Sequence, residues 1–251
     1  MTAPPQTLAA ALAVIRERMT RAAERAGRDP ATVTLIAVTK TQPPARIAEA
    51  VALGVRDFGE NRVQEALAKF APPSSAAETL PPDGADLIPR SGLTLHLIGT
   101  LQRNKARRAA VFFDTIQSVD RLDLVADLER HRATDAANRP PLPVLIEVNI
   151  SGEAAKTGAA PADVPALAEA LRACPHLAPR GLMTIAAPGL DETALRRQFA
   201  AVRELRDRLQ AAHPDVAWSE LSMGMSDDFE AAIQEGATMV RLGRALFGAR
   251  R

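Results

Sequence analysis

The sequence predicts an α/β protein built as one (β/α)8 barrel of the TIM type, and three observations carry that expectation. Short β-rich runs alternate with amphipathic helical stretches, the pattern of right-handed βαβ units around a parallel sheet. Eight such strands fit into 251 residues, the usual size of a closed eight-stranded barrel. An apolar fraction of 47% suffices for one substantial core, so residues 1–251 are read as a single domain.

The elements follow in order. Residues 7–26 have helical spacing, with Leu8, Leu12, Ile15 and Met19 on one stripe and Gly27 placed to end the helix. Strands are expected near 33–39, 55–58, 93–98, 113–116, 144–149, 180–184, 217–221 and 238–242. Helices are expected around 44–53, 62–70, 103–111, 121–132, 164–173, 192–212 and 228–235, with a short extra turn at 245–247. Residues 71–91 interrupt the alternation with five prolines and two aspartates, and are read as an exposed, mobile insertion rather than a linker. Pro140-Pro141-Leu142-Pro143 is read as a rigid connection whose prolines cannot continue into the strand it feeds.

Composition removes several classes of function. With 31 basic and 30 acidic side chains the net charge is +1, so no global field would recruit nucleic acid or an anionic membrane. A lone cysteine, Cys174, excludes an internal disulfide and any multi-cysteine metal site, and the four histidines are scattered. The first residues lack the pattern of a signal peptide, and no run approaches the ~20 apolar residues of a membrane span. A cytoplasmic, metal-free protein is expected.

Two motifs carry candidate chemistry. In Val33-Thr34-Leu35-Ile36-Ala37-Val38-Thr39-Lys40 alternation puts Thr34, Ile36, Val38 and Lys40 on one face, with Lys40 at the C-terminal mouth of the barrel. Burial there would favour the neutral amine that attacks an aldehyde, whereas a solvated lysine ending a strand is the plainer alternative. Barrels commonly bind phosphate after strands seven and eight. Here those strands lead into Ser222-Met223-Gly224-Met225-Ser226 and into Gly243-Arg244, which offer hydroxyls and backbone N–H groups; ordinary turns would look similar. A lysine able to form an imine, facing a phosphate cradle, points to pyridoxal 5'-phosphate (PLP). Arg241 is expected to face inward, where it could donate to an unprotonated pyridine nitrogen and keep the cofactor a weak electron sink, or else form a structural salt bridge.

These residues fall within runs that closely resemble the pyridoxal phosphate homeostasis family, the YggS/PROSC type. The matching runs are Ala37-Val38-Thr39-Lys40-Thr41, Phe58-Gly59-Glu60-Asn61-Arg62-Val63-Gln64-Glu65 and His96-Leu97-Ile98-Gly99-Thr100-Leu101-Gln102-Arg103-Asn104-Lys105. Ser118-Val119-Asp120, Glu147-Val148-Asn149-Ile150-Ser151-Gly152-Glu153 with Lys156 and Gly158, Gly181-Leu182-Met183-Thr184, and residues 221–247 continue the match in order. The resemblance implies a barrel like the N-terminal domain of alanine racemase, with Lys40 as the internal-aldimine lysine and Arg241 facing the pyridine nitrogen. It implies a phosphate site from Ser222, Ser226, Gly243 and Arg244. Asn61 and His96 match motif positions ending strands two and three, where they would line the ring or cap the adjoining helices. The chain departs from the family at Leu95, where an aromatic is expected, and in the longer insertion at 71–91.

A carrier that stores PLP and delivers it to apo-enzymes is favoured over a PLP-dependent racemase or other PLP enzyme. A racemase needs a tyrosine as second base, and the sequence contains none. No second domain is expected after Arg241, and an arginine at the pyridine nitrogen weakens carbanion stabilisation. A class I aldolase-like barrel is disfavoured because its lysine usually comes from a middle strand. Lys156 is a candidate second PLP acceptor, with a solvated loop lysine as the alternative. The expected partners are PLP and, transiently, apo PLP enzymes, and the expected state is a monomer.

Overall fold

The computed structural model describes residues 7–71, 87–134, 139–153 and 156–248. Its centre is a closed barrel of eight strands in chain order. They are β1 (Thr34–Val38), β2 (Asp57–Glu60), β3 (Thr94–Leu97), β4 (Thr115–Val119), β5 (Leu142–Val148), β6 (Leu177–Thr184), β7 (Glu220–Ser222) and β8 (Met239–Leu242). Every neighbouring pair is parallel, and β8 returns to β1 with Ile36 opposite Arg241. Such a ring requires a crossover after each strand. These are supplied by α2 (Pro44–Ala52), α3 (Val63–Lys69), α4 (Ala106–Phe112), α5 (Leu122–Ala133), α6 (Val164–Arg172), α7 (Glu192–Ala212) and α8 (Phe229–Gln234), after the leading α1 (Leu8–Arg25) and before the closing turn α9 (Arg244–Phe247).

Period-two alternation sorts the strand residues into two layers. Ala37, Phe58, Leu95, Ile116 and Val144 face the helices and form the outer core. Ile36, Val38, Leu145 and Met183 are equally buried yet stand apart from that core, in the barrel interior. Outside, α1 begins at Thr7, whose Oγ1 accepts the Ala10 N–H at 3.2 Å, and its stripe of Leu8, Leu12, Ile15 and Met19 is buried as its spacing requires. It is also tied to α8, where Arg18 pairs with Glu230 at 2.6 Å and lies 4.6 Å from the centre of the Phe229 ring.

Three expectations need correction. Three strands run later than the apolar runs suggest, because β2 takes in Gly59 and Glu60, β4 takes in Gln117 and Ser118, and β7 takes in Ser222. Polar and small side chains that read as loop are inward-facing or strand-end positions of a barrel. Pro143 lies inside β5, opposite Ala178, and the ladder absorbs the missing N–H through a register shift between Val144 and Leu145. The far end of the 71–91 insertion is anchored. Ile88 is buried and bridges Phe70, with Ala71 N donating to Ile88 O at 2.9 Å and Ile88 N donating to Lys69 O at 2.8 Å. Arg90 then pairs with Asp114 and packs 5.1 Å from the Phe112 ring centre. The rest of the insertion, residues 72–86, lies outside the described residues.

Because Ala71 and Ile88 are already adjacent, a short Gly/Ser link should replace residues 72–86 with little loss of thermal stability. Ile88→Ala, by contrast, should cost ~2 to 4 kcal/mol by leaving a void against Phe70. Equal melting temperatures for Ile88→Ala and the parent would show that the anchor contributes nothing.

Among the described residues, no helix is long and apolar enough to cross a membrane, and no group of three His, Cys, Asp or Glu is placed to hold a metal ion.

Candidate functional site

The C-terminal ends of β1, β2, β7 and β8 converge on a cavity of about 270 Å³. Its lining contains Lys40, Asn61, Ser226, Arg241, Gly243 and Arg244, six residues from four separate stretches of sequence. Barrel closure brings them together, since β8 pairs with β1 and β1 with β2. Lys40 stands two residues beyond β1, half-buried, in a turn whose next residue, Thr41, has φ 64°. Asn61 follows β2, and its Oδ1 is buried without a hydrogen-bond partner.

Arg241 faces inward from β8 and is 4% exposed. Its Nη1 donates to Ser222 O at 2.6 Å and Ser222 Oγ at 2.8 Å, and Nη2 donates to Thr184 O at 2.7 Å. Burial lowers its pKa to about 10, while the charges of Asp228 and Glu147 pull the other way, so the guanidinium keeps its proton at neutral pH. These contacts occupy three of the five N–H donors of a side chain that lines the cavity.

Next along the lining, Ser226 Oγ accepts the Ala245 N–H at 3.0 Å and keeps its own proton to donate. The N–H groups of Gly243 and Arg244 open α9 and belong to the set a helix cannot satisfy internally. A Cβ at Gly243 would meet Val38 Cβ at 3.6 Å, an ordinary contact, so internal packing does not demand glycine there. Gly224, in the preceding turn, is required, because at φ +94° its Cβ would come within 2.6 Å of Ala232 Cβ and 2.9 Å of Phe229 Cα. The Arg244 side chain lies on the rim, paired with Asp227. The arrangement therefore offers a primary amine, a buried cation and a donor-rich cradle around one space.

Two expected site residues lie elsewhere. Ser222 is fully buried beneath Arg241 and donates to Gln117 Oε1 at 2.6 Å, so it supports the guanidinium rather than joining the cradle. His96 is lower still. Its Nδ1 accepts from Gln117 Nε2 at 3.0 Å, which leaves the proton on Nε2, 3.2 Å from Asp57 Oδ1. A chain of hydrogen bonds thus runs down the barrel interior from Arg241 to Asp57. The turn after strand seven suggests Ser222 and the family resemblance implies His96, and neither indicates at what depth in the barrel a side chain lies. Leu95 belongs to the outer core and takes no part in the cavity lining. Lys156 is not part of that lining either; its Nζ lies 2.8 Å from Glu153 Oε1 on the loop after β5.

Other functional positions escaped the sequence reading. Gln117 and Thr184 hold the Arg241 network; a glutamine at inward parity in Thr115-Ile116-Gln117-Ser118-Val119 was the available signal. Asp228 lines the cavity, where burial raises its pKa against the opposing effects of the Met225 N–H and Arg241. Glu147 is also raised by burial, with Asp120 adding to the shift. Its Oε1 accepts from Thr157 at 2.6 Å and its Oε2 has no partner.

Barrel and cavity define a single-domain (β/α)8 protein of the alanine racemase N-terminal-domain type, and the model of that family, "Alanine racemase, N-terminal domain", matches residues 11–251. The chain belongs to the pyridoxal phosphate homeostasis protein family. It is 49% identical over 244 residues to the pyridoxal phosphate homeostasis protein of Pseudomonas aeruginosa, covering 97% of this chain and 96% of that one. It is 43% identical to the Escherichia coli K12 protein of that description, with 95% of each chain covered. Among solved structures it resembles PipY of Synechococcus elongatus with PLP bound, at a TM-score of 0.75 and 36% identity, over 96% of this chain and 100% of that one.

Proposed function

We propose that this protein binds PLP covalently through Lys40 and serves vitamin B6 homeostasis by holding the cofactor and handing it to apo-enzymes, with no turnover of its own. The observation that carries this reading is a single cavity lined by the Lys40 amine, the Ser226, Gly243 and Arg244 cradle and the Arg241 guanidinium. When bound, PLP supplies an aldehyde that a neutral primary amine holds as a Schiff base, the two amine hydrogens leaving with the aldehyde oxygen as water.

The residues present fit such a group. The Ser226 hydroxyl and the N–H groups of Gly243 and Arg244 would hold the phosphate, and the missing side chain at Gly243 lets the backbone approach it. Arg241 would donate to the pyridine nitrogen. Being charged at neutral pH and pinned by Ser222 and Thr184, it would leave that nitrogen unprotonated and hold back carbanion chemistry. Asn61 supplies a buried acceptor that has no internal donor. The similar PipY, described with PLP bound, supports the same reading.

Storage rather than catalysis follows from what the chain can do with protons. Two-base racemisation requires an acid on the far face of the substrate carbon, and the chain contains no tyrosine to supply it. The balanced charge and single cysteine suit a cytoplasmic monomer that meets apo-enzymes transiently.

The test incubates PLP-loaded protein with alanine and other amino acids while following optical rotation and product, and then with a PLP-depleted apo-enzyme. No turnover and restored apo-enzyme activity are expected. Robust turnover that disappears in Lys40→Ala would overturn the carrier reading in favour of an enzyme.

A further inference from the structure

The turn that carries Lys40 is gripped on both sides by a buried ion cluster from the next βα unit. Lys69, at the end of α3 and 7% exposed, donates through Nζ to Thr39 O at 2.6 Å, Glu60 Oε1 at 2.9 Å and Glu65 Oε1 at 2.6 Å. Glu60 Oε1 also accepts from Thr39 Oγ1 at 2.7 Å, and Thr39 N donates to Gly59 O at 3.0 Å. On the other side of Lys40, Glu65 accepts the N–H of Thr41. Thr41 is the only non-glycine among the described residues with positive φ, at 64°. For a β-branched residue that conformation is strained and persists only where the surroundings impose it.

A buried ion cluster is a weak source of stability. Charges taken out of water lose hydration, and well-packed apolar groups of the same volume often serve as well. Glu60 shows the cost, since it is fully buried, one of its oxygens has no partner, and burial holds its carboxyl above the usual range against the bonds from Thr39 and Lys69. Glu65 goes the other way. Burial alone would raise it, but the hydrogen bonds from Lys69 and Thr41 and the charges of Lys69 and Arg62 bring it below the usual range. What the cluster does fix is place, because Thr39, two strand ends and α3 are locked into one geometry around the residue between Thr39 and Thr41.

We propose that Lys69, Glu60 and Glu65 are positioning residues that set the Lys40 amine at the distance and angle required by a ring whose own place is fixed across the cavity. This rests on the reading of Lys40 as the attachment point. The phosphate cradle and Arg241 come from β7, β8 and their loops, whereas the amine comes from the turn after β1, and the cluster touches only that turn. A shift of about 1 Å in one half would leave ring and phosphate contacts intact while costing up to ~100-fold in the covalent step.

Two ligands separate these halves. PLP carries the aldehyde, whereas pyridoxine 5'-phosphate has the same ring and phosphate with an alcohol in its place. In Lys69→Met the dissociation constant for PLP should rise roughly 10- to 100-fold and the Schiff-base absorbance should fall, while that for pyridoxine 5'-phosphate changes less than about 2-fold. Parallel weakening of both ligands, or unchanged PLP binding, would overturn the proposal. If Lys69→Met does not fold, Glu65→Gln at the edge of the cluster carries the same comparison, with the same two outcomes. Wild-type protein with no borohydride-trapped PLP on Lys40 would instead fail the underlying reading, a result visible before any variant is made.

Discussion

Lys40→Ala is expected to abolish borohydride-trapped PLP while leaving the fold in place. Lys40 is the only lysine in the cavity lining among the described residues. Lys69 is committed to three oxygen acceptors, and Lys156 lies beside Glu153 on another loop. The substitution trims a half-buried side chain beyond the end of β1, outside the apolar core, so stability should move by about 1 kcal/mol, the usual size for a single substitution. Ring and phosphate contacts would survive, so weak reversible PLP binding should remain without the Schiff-base absorbance. Reduction followed by peptide mapping decides it: label persisting on another lysine of the variant would move the attachment point there.

Gly181→Ala should be the most destabilising small substitution in the barrel. A Cβ at that position would lie 1.8 Å from Glu220 O, 2.6 Å from its carbonyl carbon and 2.9 Å from its Cα, all backbone atoms of β7. A flexible side chain could swing aside, but a paired strand cannot. Gly181 and Glu220 are register partners, and in a closed ring any widening of one seam has to be absorbed by the others. The loss should reach ~3 kcal/mol or more, at the upper end for overpacking. For a chain of this size that lowers Tm by roughly 6 to 12 °C. The damage should also reach the site, because Thr184 and Ser222, which hold Arg241, end the same two strands. A shift in Tm of less than about 2 °C would show that the strands separate freely at this point.

The barrel and the ring of strand-end residues were legible because both depend on local periodicity. Alternation over Thr34–Val38 placed Lys40 at the mouth, and the habit of barrels to bind phosphate after strands seven and eight singled out Ser226, Gly243 and Arg244. The inward parity of Arg241 was readable in the same way. Depth and pairing were not. Ser222 and His96 share that inward parity but lie below the cavity, where Gln117 joins them. Nothing in the sequence sets Lys69 apart, and only the convergence of Thr39, Glu60 and Glu65 gives it a place. Pro143 reads as a strand breaker, and only the register shift between β5 and β6 accommodates it.

By itself the sequence determined the fold class and the place of Lys40, Ser226, Gly243 and Arg244 at the barrel mouth, since each follows from spacing within a few residues. Tertiary structure alone decided which polar side chains reach the cavity and which brace it. Those contacts join residues 21 apart between Thr39 and Glu60, and 105 apart between Gln117 and Ser222. Separations of that length become contacts only when the ring closes, so no local pattern in the chain can encode them.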